Sequence, residues 1–148
     1  MKLQLVSIAG RPGTGPAQQL LEQYLARTTP YLPMEAPLYR SEAAFLDSLA
    51  KGKTRTAPIA VLLDRRGRQL SSEQLAALLE THKHVGTQLL VFAVGPADGW
   101  SEAARARAHS LVSLGPMTLP HELARLLLAE QIYRACTILA GHPYHSGH

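Results

Sequence analysis

Two groups of side chains near the C-terminus have types and spacings that suit chemistry. Residues 117–135, MTLPHELARLLLAEQIYRA, are almost wholly apolar yet carry His121, Arg125, Glu130 and Arg134, and the tail GHPYHSGH adds Tyr144 and His145. At 100° per residue His121 and Arg125 share one side of a helix, and Glu130 and Arg134 fall nearly opposite. His121 and Arg125 lie in its first turns. Free backbone amides and the positive end of the helix dipole there suit a carboxylate, a phosphate or a carbonyl oxygen. A lone histidine at a helix start is more often a packing or capping residue, but Arg125 one turn later adds the charge an anion site needs. Glu130 and Arg134 stand in the favourable i,i+4 order, and an ion pair at an interface is expected ahead of direct chemistry. Tyr144 and His145 pair a ring that can stack on a nucleobase with an imidazole that can hydrogen-bond to it.

The remaining motifs exclude more than they assign. His142, His145 and His148 recur at regular spacing, but the tail offers no fourth ligand with clear spacing, so no metal is expected. GRPGTG (10–15) is neither G-x-G-x-x-G nor a Walker sequence ending in Lys-Ser/Thr, which sets aside dinucleotide and P-loop readings. VGPADG follows an apolar run and suits a ligand loop, although Gly and Pro also serve plain turn geometry. Cys136, the single cysteine, falls in the apolar helix and reads as a buried, inert thiol. No Ser-His-Asp order or paired-carboxylate pattern stands out.

The elements that position these groups form one domain over residues 1–148. Hydrophobic residues make up 46% of the chain and charged residues 18%, which suits a folded core and not a disordered chain. No apolar run approaches the roughly 20 residues that span a bilayer. MKLQLVSIAG is too short and strand-like for a signal peptide, so a cytoplasmic protein is expected, in agreement with the lone cysteine. A net charge of +4 and a pI near 9.5 permit a polyanionic partner such as RNA without requiring one.

Hydrophobic patterning alternates between strand and helix. Strands are expected at 2–9, 58–64, 87–95 and 110–114, with a poor edge strand in 31–39 that two prolines interrupt. Helices are expected at 16–27, 41–50, 71–83 and 101–109, several of them opened by a capping serine, before the apolar C-terminal helix. This is the pattern of an α/β domain with a mainly parallel sheet and helices on both faces. Ligands of such sheets bind beyond the carboxyl ends of the strands, which selects the segments after Leu63, Val94 and Leu114. A helix apolar all round must be covered on all sides, and a second copy of the chain is the economical cover.

MTLPHELARLLLAEQIYRA followed by GHPYH resembles the C-terminal third of the RlmH-type SPOUT methyltransferases, and the opening MKLQLVSIAG, the strand ending LLD and the Gly-Pro loop follow in the same order. The resemblance is specific from Leu114 to His145 and loose from Gly10 to Thr56. It implies a SPOUT fold with a C-terminal trefoil knot, a homodimer, and S-adenosylmethionine-dependent methylation of N3 of a pseudouridine in 23S ribosomal RNA. Another RNA substrate, or an RNA-binding assembly factor without catalysis, are the alternatives. The implied cofactor contacts are Leu63, Gly95, Gly115, Pro116, Met117, Thr118, Leu119 and Pro120. Tyr144 and His145 are the implied catalytic pair, with Arg134 and His121 as further candidates. Arg125 and the basic loop residues Lys51, Lys53 and Arg55 are expected to meet RNA. A side chain at Gly95 is expected to project into the ligand, and the tail, short of contacts, to order only when RNA arrives. The chain departs from the family's pattern at Val94–Gly95, where two glycines are usual, and at Ser146, where a basic residue commonly stands.

Overall fold

In a computed structural model describing residues 1–52 and 54–146, each central strand is apolar on both faces because each face meets helices. Along β5 (Leu89–Val94), Leu90, Phe92 and Val94 enter one buried cluster, and Val91 and Ala93 enter another. Leu3 and Leu5 of β1 (Lys2–Ile8) are parted from Val6 and Ile8 in the same way. This is the two-residue period of a strand with two covered faces. Helices α1 (Pro16–Thr28), α3 (Ser72–His84) and α5 (His121–Ala140) bring Leu21, Leu79 and Ile132 to the first cluster. On the other face α2 (Glu42–Ala50) and α4 (Glu102–Arg107) bring Phe45 and Ala104 to the second.

Short strands β2 (Met34–Glu35) and β3 (Leu38–Tyr39), with β4 (Ile59–Gln69) and β6 (Ser110–Ser113), complete the six-stranded sheet. The order is β2-β1-β5-β4-β6, with β3 also on β1, and the strand pairs are parallel. The expected edge strand is thus real but split. Proline donates no backbone hydrogen bond, so Pro33 and Pro37 serve as acceptors, their carbonyls taking the amides of Leu3 and Ser7. The serine caps hold as well. Ser41, Ser71 and Ser101 accept amides of the first turns of α2, α3 and α4, and Ser71 with Gln74 closes a capping box. None of the described helices is long and apolar enough to cross a membrane.

Strand β4 runs beyond the expected 58–64, and its extension carries the main surprise of the topology. Val112 of β6 pairs with Leu63 and again with Arg68. Between these two arms Gly67 lies against the Leu111–Val112 peptide so closely that a Cβ would stand 2.6 Å from its atoms. The side chain of Asp64 pins this segment. Its Oδ1 accepts the Arg66 amide at 2.8 Å, and its Oδ2 accepts Nε of Arg105 at 2.8 Å. Burial alone would raise the Asp64 pKa, but the Arg66 amide and the Arg105 guanidinium together hold the carboxyl below its ordinary range.

The tail departs from expectation. Residues Pro143–His145 form a 3-10 turn docked on α5, with His142 Nδ1 accepting the Tyr144 amide. Tyr144 donates to Glu130 Oε1 at 3.0 Å and packs edge-on against Tyr133, with ring centroids 4.7 Å apart. Ring packing and a charge-accepting hydrogen bond order this segment in the single chain, without RNA.

Candidate active site

The C-terminal ends of β4 and β6 open into a cleft of about 390 Å³ between α3 and α5. Leu63, Ser113 and Gly115 come from the strand ends, Ser72 from α3, and Leu127 and Gln131 from α5. Such a volume is in the usual range for a small-molecule site. Most of the wall is hydrocarbon, and its polar groups are placed by their neighbours. Ser72 donates to Gln131 at 2.6 Å, while Ser113 Oγ and the Gly115 backbone bond reciprocally at 3.1 Å. Gly115 holds φ at +126°, a turn that a side chain would strain.

Sequence reasoning placed Leu63, Gly95 and the run Gly115, Pro116, Met117, Thr118, Leu119 and Pro120 in one site. The structure brings Leu63 and Gly115 together on the cleft. Leu119 packs on the core and Pro120 stands at the N-cap position of α5, whereas Met117 is 82% exposed. Gly95 is not among the residues lining the cleft, and a second close approach bears on its glycine. A Cβ there would meet the Trp100 indole at 2.7 Å. The same indole donates Nε1–H to the Leu63 carbonyl at 3.0 Å and is itself buried. Trp100 therefore ties the loop after β5 to β4 at Leu63. The sequence signal for it was an aromatic closing VGPADGW, passed over because no period marks a single ring in a loop. Gly95→Ala is expected to cost about 1–2 kcal/mol by overpacking a ring that can yield. Thermal melting checks this, and an unchanged midpoint would show that the loop moves freely.

His121 and Arg125 meet beside the end of β5, on the α1 side of α5. The His121 ring lies by the Val94 and Gly95 carbonyls, and its Nε2 is buried without a partner. Burial foremost, then the Arg125 charge, lower its pKa, and the two carbonyls oppose this only in part. The imidazole is therefore neutral near pH 7 and able to accept a proton. Arg125 is buried, and its Nη1 donates to Gln18 Oε1 at 3.0 Å.

Glu130 and Arg134 form the expected i,i+4 pair, with Nε to Oε1 at 3.0 Å. They do so as part of a cluster around Tyr144, whose ring lies 5.1 Å from the Arg134 guanidinium carbon and whose hydroxyl is 3.5 Å from that of Tyr24. Burial first, then the hydrogen bonds to Tyr24 and Glu130, hold the Tyr144 phenol well above its usual range. It stays protonated, a donor and not a base. His145 has a buried Nδ1 without a partner. Cys136 is buried, its thiol pushed up to about 11 by that burial, as fits an inert residue.

The basic loop is elsewhere. The Arg55 amide bonds Gln88 just ahead of β5, and Lys51 pairs with Asp47 at 2.8 Å. This is the opposite end of the sheet from Leu63 and Gly115, about 20 Å away at roughly 3.3 Å per strand residue. Lys53 lies outside the described residues. At the cleft's own end, Arg65 and Arg68 are exposed in the segment that passes β6, a basic pair that sequence reasoning left unassigned inside a longer strand.

Residues 1–145 match the family model described as "Predicted SPOUT methyltransferase". The chain is 48% identical over 148 residues to the ribosomal RNA large subunit methyltransferase H of Koribacter versatilis, covering all of both chains. It is 39% identical over 163 residues to the protein of that name from Brucella ovis, covering 95% of this chain and 96% of that one. Among solved structures, a probable methylase family protein from Haemophilus influenzae aligns with a TM-score of 0.56 at 11% identity, over 96% of this chain and 69% of that one. The SpoU methyltransferase AviRb from Streptomyces viridochromogenes aligns with a TM-score of 0.52 at 15% identity, over 95% and 61%. Those two likenesses bear on the fold, and they agree with the parallel sheet described above. With a family model matched over nearly its whole length and full-length relatives close in sequence, the chain belongs to the SPOUT methyltransferases.

Proposed function

We propose that the protein transfers the methyl group of S-adenosylmethionine to N3 of a pseudouridine in 23S ribosomal RNA, as a homodimer in the cytoplasm. The observation that carries this reading is the full-length identity to ribosomal RNA large subunit methyltransferases. The cleft fits the cofactor, being apolar enough for an adenosine and polar at Ser72, Ser113 and Gln131. Leu63, Gly95 and residues 115–120 are the residues proposed to hold it.

The cofactor supplies a methyl group already activated on a sulfonium, so the protein's task is alignment and proton removal. The N3 proton must leave for a base or for water. His121 is neutral and beside the end of β5, and His145 stands next to Tyr144 in the tail. Tyr144, its hydroxyl proton given to Glu130, can stack against the base and accept a hydrogen bond at its phenol oxygen. Glu130 and Arg134 position that ring.

The family's knot belongs to this reading. Its support is the double pairing of Val112 with both arms of β4 and the close passage of Gly67 along the Leu111–Val112 peptide. The dimer is supported by apolar side chains left open near and on α5. Met117 is 82%, Leu123 42% and Leu127 44% exposed, more than a lone surface helix usually presents together.

Incubation with tritiated S-adenosylmethionine and ribosomes, subunits or free ribosomal RNA tests the activity. Label recovered as N3-methylpseudouridine from 23S RNA is the expected result, and label on another base or none at all would overturn it. Deleting residues 143–148 is expected to lower methyl transfer at least about tenfold, roughly 1.4 kcal/mol in the transition state. Cofactor affinity by calorimetry should stay unchanged, since the tail does not line the cleft. Full-rate turnover by the truncated protein would remove the tail from the mechanism.

A further inference from the structure

Arg125 is only 9% exposed, and among the described residues it is the one buried arginine, with no buried lysine, aspartate or glutamate beside it. None of the ion pairs among those residues includes it. Its Nη1 reaches the neutral Gln18 amide oxygen, and its Nε has no partner at all. A cation buried without a counter-charge is costly unless something outside the chain supplies one.

The surroundings point to what that is. Both α1, which starts after Gly15, and α5, which starts after Pro120, lack a side-chain cap. Their first turns meet at a small cavity of about 10 Å³ lined by Gly13, Ala17, Gln18, Leu21, Glu122 and Arg125. Two uncapped helix starts and a buried guanidinium thus converge on a space the size of one oxygen. Uncapped amides and the helix dipole both favour a negative atom there. Glu122 stands at the cavity but makes no ion pair with Arg125 among the described residues.

We propose that this corner is an oxyanion site in which one oxygen of an RNA backbone phosphate enters beside Gly13 and supplies the charge Arg125 lacks. The choice of RNA rests on the methyltransferase reading above. A phosphate is favoured over the cofactor's carboxylate because the corner lies on the α1 flank of α5, whereas the cleft lies on its α3 flank. The loop over it, 10–15, is largely exposed and carries Arg11, so a strand can approach from solvent.

Three full-length proteins test this: the wild type, Arg125→Met and Glu122→Gln. Each is melted in inorganic phosphate and in sodium chloride of matched ionic strength. Phosphate should raise the wild-type midpoint above the chloride control, leave Arg125→Met unmoved, and act more strongly on Glu122→Gln. In chloride Arg125→Met should melt at or above the wild-type temperature, because a buried unpaired charge has been removed. A lower midpoint there would make Arg125 a structural residue and overturn the proposal, as would an equal phosphate response in all three. The source of the anion is read separately. Affinity for 23S RNA should fall about tenfold or more in Arg125→Met, with a shallower salt dependence, while S-adenosylmethionine affinity stays within about twofold. A fall in cofactor affinity alone would assign the corner to the carboxylate and overturn the RNA phosphate. The melting readout needs no turnover, so it stands even where methyl transfer to 23S RNA fails.

Discussion

Replacing Leu127 with Arg is expected to turn a stable dimer into a monomer at micromolar concentration. In the single chain this leucine is 44% exposed on α5, within the apolar surface proposed to meet a second copy. A two-fold interface carries the substitution twice, so two guanidinium groups would be buried without partners. The cost is on the order of several kcal/mol, at least about a hundredfold in the dimer Kd. Light scattering reads the result directly. Leu127 also lines the cleft, so oligomeric state and not activity is the deciding measurement. A dimeric variant would take α5 out of the interface.

Gly67→Ala should lower stability by about 3 kcal/mol or more, at the upper end of overpacking. The added Cβ would stand 2.6 Å from Leu111 C, Val112 C and Val112 N. Those are backbone atoms of a paired strand, which cannot swing aside as the Trp100 ring can at Gly95. At roughly 2–4 °C per kcal/mol for a chain near this size, the melting midpoint should fall by about 6–12 °C. A variant that melts within about 2 °C of wild type would show that β4 and β6 do not pass so closely in solution. The same substitution at Gly10, where a Cβ meets nothing within 4 Å, is the matched control.

How much was legible follows from what each residue's neighbours are. Strands β1 and β5 were readable because two covered faces require a nearly continuous apolar run, and LVSI, broken only by Ser7, and LLVFAV are such runs. Ser41 and Ser71 were readable because a cap bonds an amide only a few residues on. The extension of β4 was not. Residues 65–69, RRGRQ, alternate in no apolar period, and they pair as strand only because β6, more than forty positions later, lies beside them. The docked tail was missed for a related reason. Tyr144 is held by Glu130 and Tyr133 on α5 and by Tyr24 on α1. Only Glu130 and Tyr133 are near in sequence, and nothing in a helical wheel shows that α5 has room for a ring there.

By itself the sequence determined the alternating α/β elements and the family to which its C-terminal third is similar. Each of these depends on local periodicity, on short-range hydrogen bonding or on a contiguous motif. The tertiary structure alone decided which candidates share a site. Leu63 and Gly115 converge on one cleft, Gly95 lies closely against Trp100, and Lys51 and Arg55 sit at the far end of the sheet. It also decided that Arg125 is buried without a counter-charge. Burial and charge pairing depend on distances between chain segments remote in sequence, and those distances exist only once β1, β5, β4 and β6 have been laid side by side and α1, α3 and α5 packed across them.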